Sequence, residues 1–183
     1  VYLLNDPTTG EFLALMDGIL LTAIRTGAAS AVATKYLSRK NAETLGIIGA
    51  GAQAPFQAEA ISKVRPIQRI LVYDTDRKAA ENFSRTVFEN LRISIHVMPT
   101  PRDVVIDSDI LVTVTTSKVP VFDGHDLKMG THMNAVGAYT PEMREVDDLT
   151  IGKSKIVVDT YEGCMAEAGD LLIPIKSGKI SKE

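Results

Sequence analysis

Leu45-Gly46-Ile47-Ile48-Gly49-Ala50-Gly51-Ala52-Gln53-Ala54 is the stretch that decides the fold. An apolar run typical of a buried strand ends in two glycines one residue apart, and a segment compatible with a helix follows over 52–64. A second apolar run over 67–73 ends in the acid Asp74. Strand, glycine turn, helix, strand and acid in this order form the dinucleotide-binding fingerprint in its G-x-G-x-x-A version.

Each small residue of this turn has a mechanical explanation. Gly49 allows a tight turn, Gly51 lets the backbone approach a pyrophosphate closely, and Ala54 lets the helix pack on the strand. The N-terminus of the helix offers free N–H groups and a partial positive charge, so Ala52 and Gln53 are predicted to contact the pyrophosphate. The alternative is a glycine-rich connection between strand and helix that binds no ligand. We call residues 49–53 the glycine turn.

Asp74 is the best single indicator of the cofactor. A carboxylate at the end of the second strand accepts hydrogen bonds from the ribose hydroxyls of NAD and repels the 2′-phosphate of NADP. Arg77 and Lys78 follow closely and can turn toward a phosphate, so NADP stays possible beside the favoured NAD. The other role open to Asp74 is to cap the next helix, which Thr75 or Asp76 can equally do.

Composition argues against several classes of protein. Of the 183 residues, 45% are hydrophobic and 23% charged, with a net charge of −3, so a nucleic-acid partner is not expected. No apolar run reaches the roughly 20 residues of a membrane span, so no membrane partner is expected. Cys164 is the single cysteine and fits a reducing compartment, which we take to be the cytoplasm. His96, His125 and His132 lack partners at metal-ligand spacing, so no metal site is predicted.

The predicted elements around the glycine turn alternate between strand and helix. Residues 1–16 predict a hairpin, and residues 18–39 predict a helix that Asp17 caps. The order of apolar strands and helices predicts an α/β fold, a Rossmann-type doubly wound parallel sheet with helices on both faces. The predicted strands are 44–48, 67–73, 94–98, 110–115, 133–136 and 156–159, and the predicted helices after the first are 52–64, 77–91, 101–107 and 163–172.

We divide the chain into three parts. Residues 1–41 are the hairpin and long helix, residues 42–172 the dinucleotide-binding domain, and residues 173–183 the start of a return segment. A composition shift near Asn41 marks the first boundary. The chain begins with Val1 and lacks a closing element at its end, which predicts a piece of a longer protein.

Three further segments carry a resemblance to a known family. Together with the glycine turn, they resemble the ornithine cyclodeaminase/mu-crystallin family, which includes archaeal alanine dehydrogenase and ketimine reductases. The resemblance implies a central Rossmann domain and a substrate and dimerisation domain, to which residues 1–41 belong, in a protein that is a homodimer when full length. It also implies that the catalytic lysine lies upstream of Val1. The three segments are Arg25-Thr26-Gly27-Ala28-Ala29-Ser30, residues 137–147 from Gly137-Ala138-Tyr139-Thr140 onward, and Glu167-Ala168-Gly169-Asp170.

Residues outside the glycine turn are predicted to line the same site. The resemblance implies that Arg25, with Thr26 beside it, contacts the substrate carboxylate or a cofactor phosphate, although it can also be a solvated helix arginine. Thr115 ends a strand at the edge where open parallel sheets bind ligands, but threonine is also common in strands for its β-propensity. Val136, Gly137 and Ala138 are expected to pass under the nicotinamide.

Tyr139 bears on the type of reaction. Cyclodeaminase-like members of the family carry an aspartate at this position that acts as an acid/base. Tyrosine, with an ordinary pKa of about 10, is a poor base near neutral pH, which favours a plain oxidoreductase. Tyr139 can still donate a hydrogen bond to a substrate, or it can be a loop aromatic. Glu145 and Asp147 are expected to serve local structure.

The sequence therefore predicts hydride transfer between NAD, with NADP possible, and the Cα of a small amino or imino acid. The resemblance implies a reaction like that of alanine dehydrogenase or a ketimine reductase. Ornithine cyclodeamination is the alternative within the family, and a non-catalytic dinucleotide-binding protein of the mu-crystallin type is the alternative from another class. The chain alone is expected to bind cofactor with little or no turnover.

Overall fold

The chain begins with a hairpin that is separate from the main sheet and a long helix that packs against the rest of the fold. A computed structural model describes residues 1–181. Strands β1 (Tyr2–Asn5) and β2 (Phe12–Met16) pair antiparallel, and helix α1 (Gly18–Leu37) follows. Asp17 caps this helix, because its Oδ1 accepts a hydrogen bond from the N–H of Ile19 at 2.7 Å. The predicted hairpin and helix cap are confirmed.

Five parallel strands form the central sheet in the spatial order β5-β4-β3-β6-β7. The chain therefore runs from β3 outward to one side, returns, and continues to the other side. The place where the direction reverses, between the carboxyl ends of β3 and β6, is the topological switch point at which such sheets bind ligands. The predicted fold class is confirmed. The strands are β3 (Thr44–Ile48), β4 (Arg69–Tyr73), β5 (Ser94–Val97), β6 (Ile110–Thr113) and β7 (His132–Ala135).

Helices cover both faces of the sheet, and each face has its own core. Leu45 and Ile47 of β3 pack in one cluster, and Ile48 packs in the other. Because both faces are covered, the central strands β3 and β6 are buried at every position, whereas the edge strand β5 alternates between exposed and half-buried residues. The helices are α2 (Ala54–Ser62), α3 (Arg77–Leu91), α4 (Pro101–Val105), α5 (Asp148–Lys153), α6 (Tyr161–Glu167) and α7 (Gly169–Lys176). Within residues 1–181, none of the helices is both long and apolar enough to cross a membrane.

Two contacts fix α1 against the rest of the chain. A Cβ on Gly27 would lie 2.6 Å from the carbonyl oxygen of Phe56, so only glycine allows α1 and α2 to approach this closely. The guanidinium of Arg65 is buried and caps the C-terminal end of α1 by donating to its last carbonyl groups. No local sequence pattern around Arg65 indicates this role. The accepting carbonyl oxygens are those of Thr34 (2.9 Å), Lys35 (2.8 Å), Ser38 (3.0 Å) and Arg39 (2.9 Å).

The C-terminal third of the chain differs from the prediction. The strand predicted at 156–159 was wrong, because this segment pairs with no strand and its Val157 is 57% exposed. The β-branched residues there suit a strand, but a strand needs a neighbouring edge to satisfy its backbone groups. Helix α5 was missed, although Asp147 caps it by accepting from the N–H of Thr150 at 2.8 Å.

The helix predicted at 163–172 is two helices. Ala168 has an extended backbone, with φ −75° and ψ 93°, which separates α6 from α7. Because α7 continues to Lys176, the predicted domain boundary at 172 falls inside this helix.

Candidate functional site

Gly49 begins the glycine turn directly after β3 and is required by the fold itself. Its φ is +101°, in the region that favours glycine. A Cβ there would lie 2.6 Å from the carbonyl oxygen of Val114, which follows β6. Its N–H donates to the carbonyl oxygen of Tyr73 at 2.9 Å. The turn is therefore held between the ends of β4 and β6, at the switch point.

Gly51 differs from Gly49, because nothing in the described chain crowds it. It is exposed, its φ is not positive, and a Cβ on it would have no atom within 4 Å. Helix α2 begins three residues later without a side-chain cap. The carboxamide oxygen of Gln53 is buried and has no hydrogen-bond partner among the described residues. The open approach at Gly51 and the uncapped helix fit the pyrophosphate of a dinucleotide.

Asp74 connects the end of β4 to the middle of the glycine turn. Its Oδ2 accepts from the N–H of Ala50 at 2.7 Å, and its Oδ1 accepts from the N–H of Asp76 at 2.8 Å. Asp76, not Asp74, caps α3, because its Oδ1 accepts from the N–H of Lys78 at 2.9 Å. Arg77 forms an ion pair with Glu81 along the helix, with Nε and Oε1 2.9 Å apart. The alternative role for Asp74 as a helix cap is thus filled by its neighbour.

The loops after β6 and β7 meet at one buried carboxylate. Glu145 is fully buried, and its two oxygens accept from the N–H groups of Thr115 (2.5 Å) and Gly137 (2.7 Å). Burial raises the pKa of the Glu145 carboxyl, while the hydrogen bonds from Thr115 and Gly137 oppose this rise. The hydroxyl oxygen of Thr115 accepts from the N–H of Ser117 at 3.1 Å. A structural role is what the sequence predicts for Glu145, but no local pattern indicates that it joins the loops after β6 and β7.

Val136 and Ala138 flank Gly137 in the second of these loops. The N–H of Val136 donates to the carbonyl oxygen of Thr113 at 2.9 Å, which continues the pairing of β6 with β7 beyond the strands. Both side chains are half-buried, whereas Tyr139 is 61% exposed. The N–H of Tyr139 donates to the carbonyl oxygen of Gly137 at 3.0 Å, which forms a tight turn. The phenol of Tyr139 therefore projects from the loop that carries Gly137.

Helix α1 faces the glycine turn across an open cleft of about 450 Å³. Thr22 of α1 and Gln53 of the turn both line this cleft. Thr26 lies one helical turn further on and donates its hydroxyl to the carbonyl oxygen of Thr22 at 2.7 Å. Arg25 is exposed on the same helix, so its guanidinium is available to a ligand.

Most of the predicted site residues lie together at one edge of the sheet. The glycine turn, Asp74, Thr115 and residues 136–138 meet at the carboxyl edge of the sheet, where hydrogen bonds and close contacts join them. Arg25 and Tyr139 are both exposed, on α1 and on the loop after β7. Among residues 1–181, no three His, Cys, Asp or Glu side chains are grouped so that they could hold a metal ion.

A doubly wound parallel sheet with a glycine turn at its switch point defines a Rossmann-type α/β protein. The chain belongs to the ornithine cyclodeaminase/mu-crystallin family, whose sequence model matches residues 1–182. The family resemblance of the sequence is confirmed.

Three relatives illustrate the similarity. The Delta(1)-pyrroline-2-carboxylate reductase of Thermococcus litoralis, solved in complex with NADH and L-proline, is 49% identical with a TM-score of 0.96, over 98% of this chain and 55% of that one. The enzyme of the same name from Bacillus cereus is 44% identical over 97% of this chain and 55% of its own. An archaeal alanine dehydrogenase, solved as a dimer with bound NAD, is 41% identical with a TM-score of 0.91, over 98% and 55% of the two chains. The chain thus spans about half the length of the relatives it matches.

Proposed function

We propose that the protein carrying this chain transfers a hydride from a nicotinamide cofactor to the Cα of a small cyclic imino acid of the pyrroline-2-carboxylate type. The observation that carries the proposal is the open approach at Gly51, at the switch point of the sheet. The 49% identity to a reductase solved with NADH and L-proline supports both the cofactor and the substrate class.

The described residues suit each part of the cofactor. Backbone N–H groups of residues 51–53 would hold the pyrophosphate, and Asp74 would accept hydrogen bonds from the adenosine ribose. Thr115 and residues 136–138 would lie beside the nicotinamide, which supplies the hydride when the cofactor is bound. NAD is favoured over NADP, since Asp74 would repel a 2′-phosphate and the similar structures were solved with NADH and NAD.

The substrate would lie between the nicotinamide and the exposed side chains of Arg25 and Tyr139. Arg25 would bind its carboxylate, because a guanidinium matches a carboxylate with two parallel hydrogen bonds. The hydride adds to Cα, the C=N bond becomes a C–N bond, and the nitrogen takes up a proton. Tyr139 would donate a hydrogen bond to the substrate, and the family lysine expected upstream of Val1 would supply most of the proton transfer. Fixing Cα against the nicotinamide is the main contribution of the protein.

A second candidate is the oxidative deamination of alanine. The identity of 41% to an archaeal alanine dehydrogenase favours it. Both reactions transfer a hydride at Cα, so this step does not distinguish them. The pocket for the substrate side chain would. Ornithine cyclodeamination is less favoured, because Tyr139 stands where cyclodeaminase-like proteins carry an aspartate.

Binding of NADH and NADPH to this chain, measured by calorimetry, tests the proposal. We expect NADH to bind more tightly than NADPH, with little or no turnover by the chain alone. If neither nucleotide binds, the glycine turn is not a cofactor site. If NADPH binds more tightly than NADH, Asp74 does not have the role proposed for it. In the full-length protein, faster NADH oxidation with pyrroline-2-carboxylate than with pyruvate and ammonia would support the first candidate, and the reverse order the second.

We also infer that the full-length protein is a cytoplasmic homodimer. The hairpin and the start of α1 expose large apolar side chains, including Leu3 (60%), Leu15 (63%) and Ile19 (80%), which suits a buried interface. The similar alanine dehydrogenase forms a dimer. Within this chain, the single cysteine, Cys164, suits a reducing compartment. Analytical ultracentrifugation of the full-length protein and fractionation of its cells test these inferences.

A further inference from the structure

Glu145 joins the carboxyl ends of two neighbouring strands through one side chain. Its carboxylate accepts one hydrogen bond from the N–H of Thr115, at 2.5 Å, and one from the N–H of Gly137, at 2.7 Å. Thr115 follows β6 and Gly137 follows β7, which lie side by side in the sheet. Each of the two carboxylate oxygens thus accepts from the backbone of a different loop.

The two loops are packed so closely that a shift of one must shift the other. A Cβ on Gly137 would lie 2.6 Å from the carboxyl carbon of Glu145 and would also clash with the carbonyl oxygen of Thr115. On the other side of the Thr115 loop, a Cβ on Gly49 would lie 2.9 Å from the methyl group of Thr115. The Thr115 loop is therefore packed between Glu145 and the glycine turn.

Asp170 holds the backbone of Glu145 in place from the opposite side. Its Oδ1 accepts from the N–H groups of Glu145 (2.7 Å) and Val146 (2.8 Å). Asp170 is itself buried, near the start of α7. The backbone of Glu145 is thus anchored by one buried carboxylate, and its own carboxylate anchors the loops.

We propose that Glu145 is a positioning residue that sets the spacing of the Thr115 and Gly137 loops and thereby orients the nicotinamide half of the cofactor. The inference rests on the proposed function, in which these loops lie beside the nicotinamide. The adenosine half would lie at the glycine turn and Asp74, on the β4 side of the switch point. Loss of the Glu145 carboxylate should therefore weaken contacts to one half of the cofactor more than to the other.

The test compares NADH with ADP-ribose, which lacks the nicotinamide, in binding to wild type and to E145Q. Glutamine keeps the shape of the side chain but turns an NH₂ donor toward one of the two N–H groups, which loses its acceptor. We expect calorimetry to show NADH binding about tenfold weaker and ADP-ribose binding changed by less than about twofold. The matched control is E142Q, which changes an exposed glutamate of the same loop and should leave both affinities at the wild-type values.

Three outcomes would overturn this inference without affecting the proposed function. These are an unchanged NADH affinity in E145Q, an equal loss for both ligands, and the same selective loss in E142Q. Failure of the wild type to bind either ligand would overturn the proposed function and this inference with it. If E145Q does not fold, as judged by circular dichroism, D170A decides, because it removes the oxygen that accepts from the N–H groups of Glu145 and Val146. A selective loss of NADH binding in D170A supports the inference, whereas an equal loss of both ligands or unchanged affinities would contradict it.

Discussion

Asp74 accepts a hydrogen bond from the backbone N–H of Ala50 at 2.7 Å, so the end of one strand supports the turn that leaves its neighbour. The other oxygen of the carboxylate accepts from the N–H of Asp76. In the proposed complex, the same group would also meet the adenosine ribose. In that complex, Asp74 would both support the glycine turn and discriminate between NAD and NADP. Its substitution therefore tests both roles.

D74N should weaken NADH binding and shift the preference toward NADPH. Asparagine leaves one of the two N–H groups without an acceptor, and we expect a loss of about tenfold in NADH affinity. Removal of the negative charge should also weaken the repulsion of a 2′-phosphate, so the ratio of the two dissociation constants should move toward NADPH. Calorimetric titration measures both values. D76N is the matched control, since asparagine also caps a helix, and an equal effect in D76N would contradict the prediction.

G51A should abolish or weaken cofactor binding without disturbing the fold. A Cβ at Gly51 has no atom of the described chain within 4 Å, so we expect it to leave the structure intact. The free energy of unfolding should change by less than about 1 kcal/mol. The added methyl group would occupy the space that the pyrophosphate must approach, and NADH affinity should fall by at least about tenfold. Urea unfolding and calorimetry measure the two effects.

G152A is the matched control for G51A. Gly152 lies in α5, and a Cβ there also meets nothing within 4 Å. Its NADH affinity should equal that of the wild type. Wild-type affinity in G51A as well would show that no phosphate approaches the glycine turn.

R65K should destabilise the protein, although it conserves the charge. The flexible ammonium of lysine cannot reproduce the fork of hydrogen bonds to the last carbonyl groups of α1. Because these groups are buried or partly buried, we expect a loss of about 2–4 kcal/mol in the free energy of unfolding. Urea titration followed by circular dichroism gives the value. The control is R85K, at an exposed position of α3, which should unfold at the same urea midpoint as the wild type. If R65K also unfolds at the wild-type midpoint, Arg65 does not stabilise the end of α1.

His132 should make stability depend on pH on the acidic side of neutrality. Burial lowers the pKa of the His132 imidazole, and the positive charge of Arg65 lowers it further. A hydrogen bond with Asn134 acts in the opposite direction. A lowered pKa in the folded state means that stability is fully present above the unfolded pKa of about 6.5 and is lost as the pH falls. H132Q should therefore lose less stability than the wild type between pH 7.5 and pH 5.5.

Urea unfolding at the two pH values checks the His132 prediction. H96Q, which changes an exposed histidine on β5, should keep the full loss seen in the wild type. If H132Q and wild type show the same loss of stability, another group is responsible for the pH dependence.

The carboxyl edge of the sheet shows how far sequence patterns reach. Local patterns identified β3, the glycine turn and Asp74, because each lies within one strand–turn–helix–strand unit whose spacing is fixed by the chain itself. The same patterns failed at 156–159, where β-branched residues suit a strand but find no neighbouring edge. They also missed the break at Ala168, because a helix can end at a residue that does not itself disfavour helix.

The sequence by itself determined the family, the parallel α/β fold and the position of the glycine turn, since these depend on periodicity and on motifs of short span. Only the tertiary structure decided that a side chain at position 49 would clash with the carbonyl oxygen of Val114, whereas position 51 has free space around it. It also decided that Arg65 caps a helix some thirty residues earlier and that Glu145 joins the loops after β6 and β7. The physical reason is that buried hydrogen bonds must be satisfied by whichever groups the fold brings together, and that pairing is set by strand order rather than by distance along the chain.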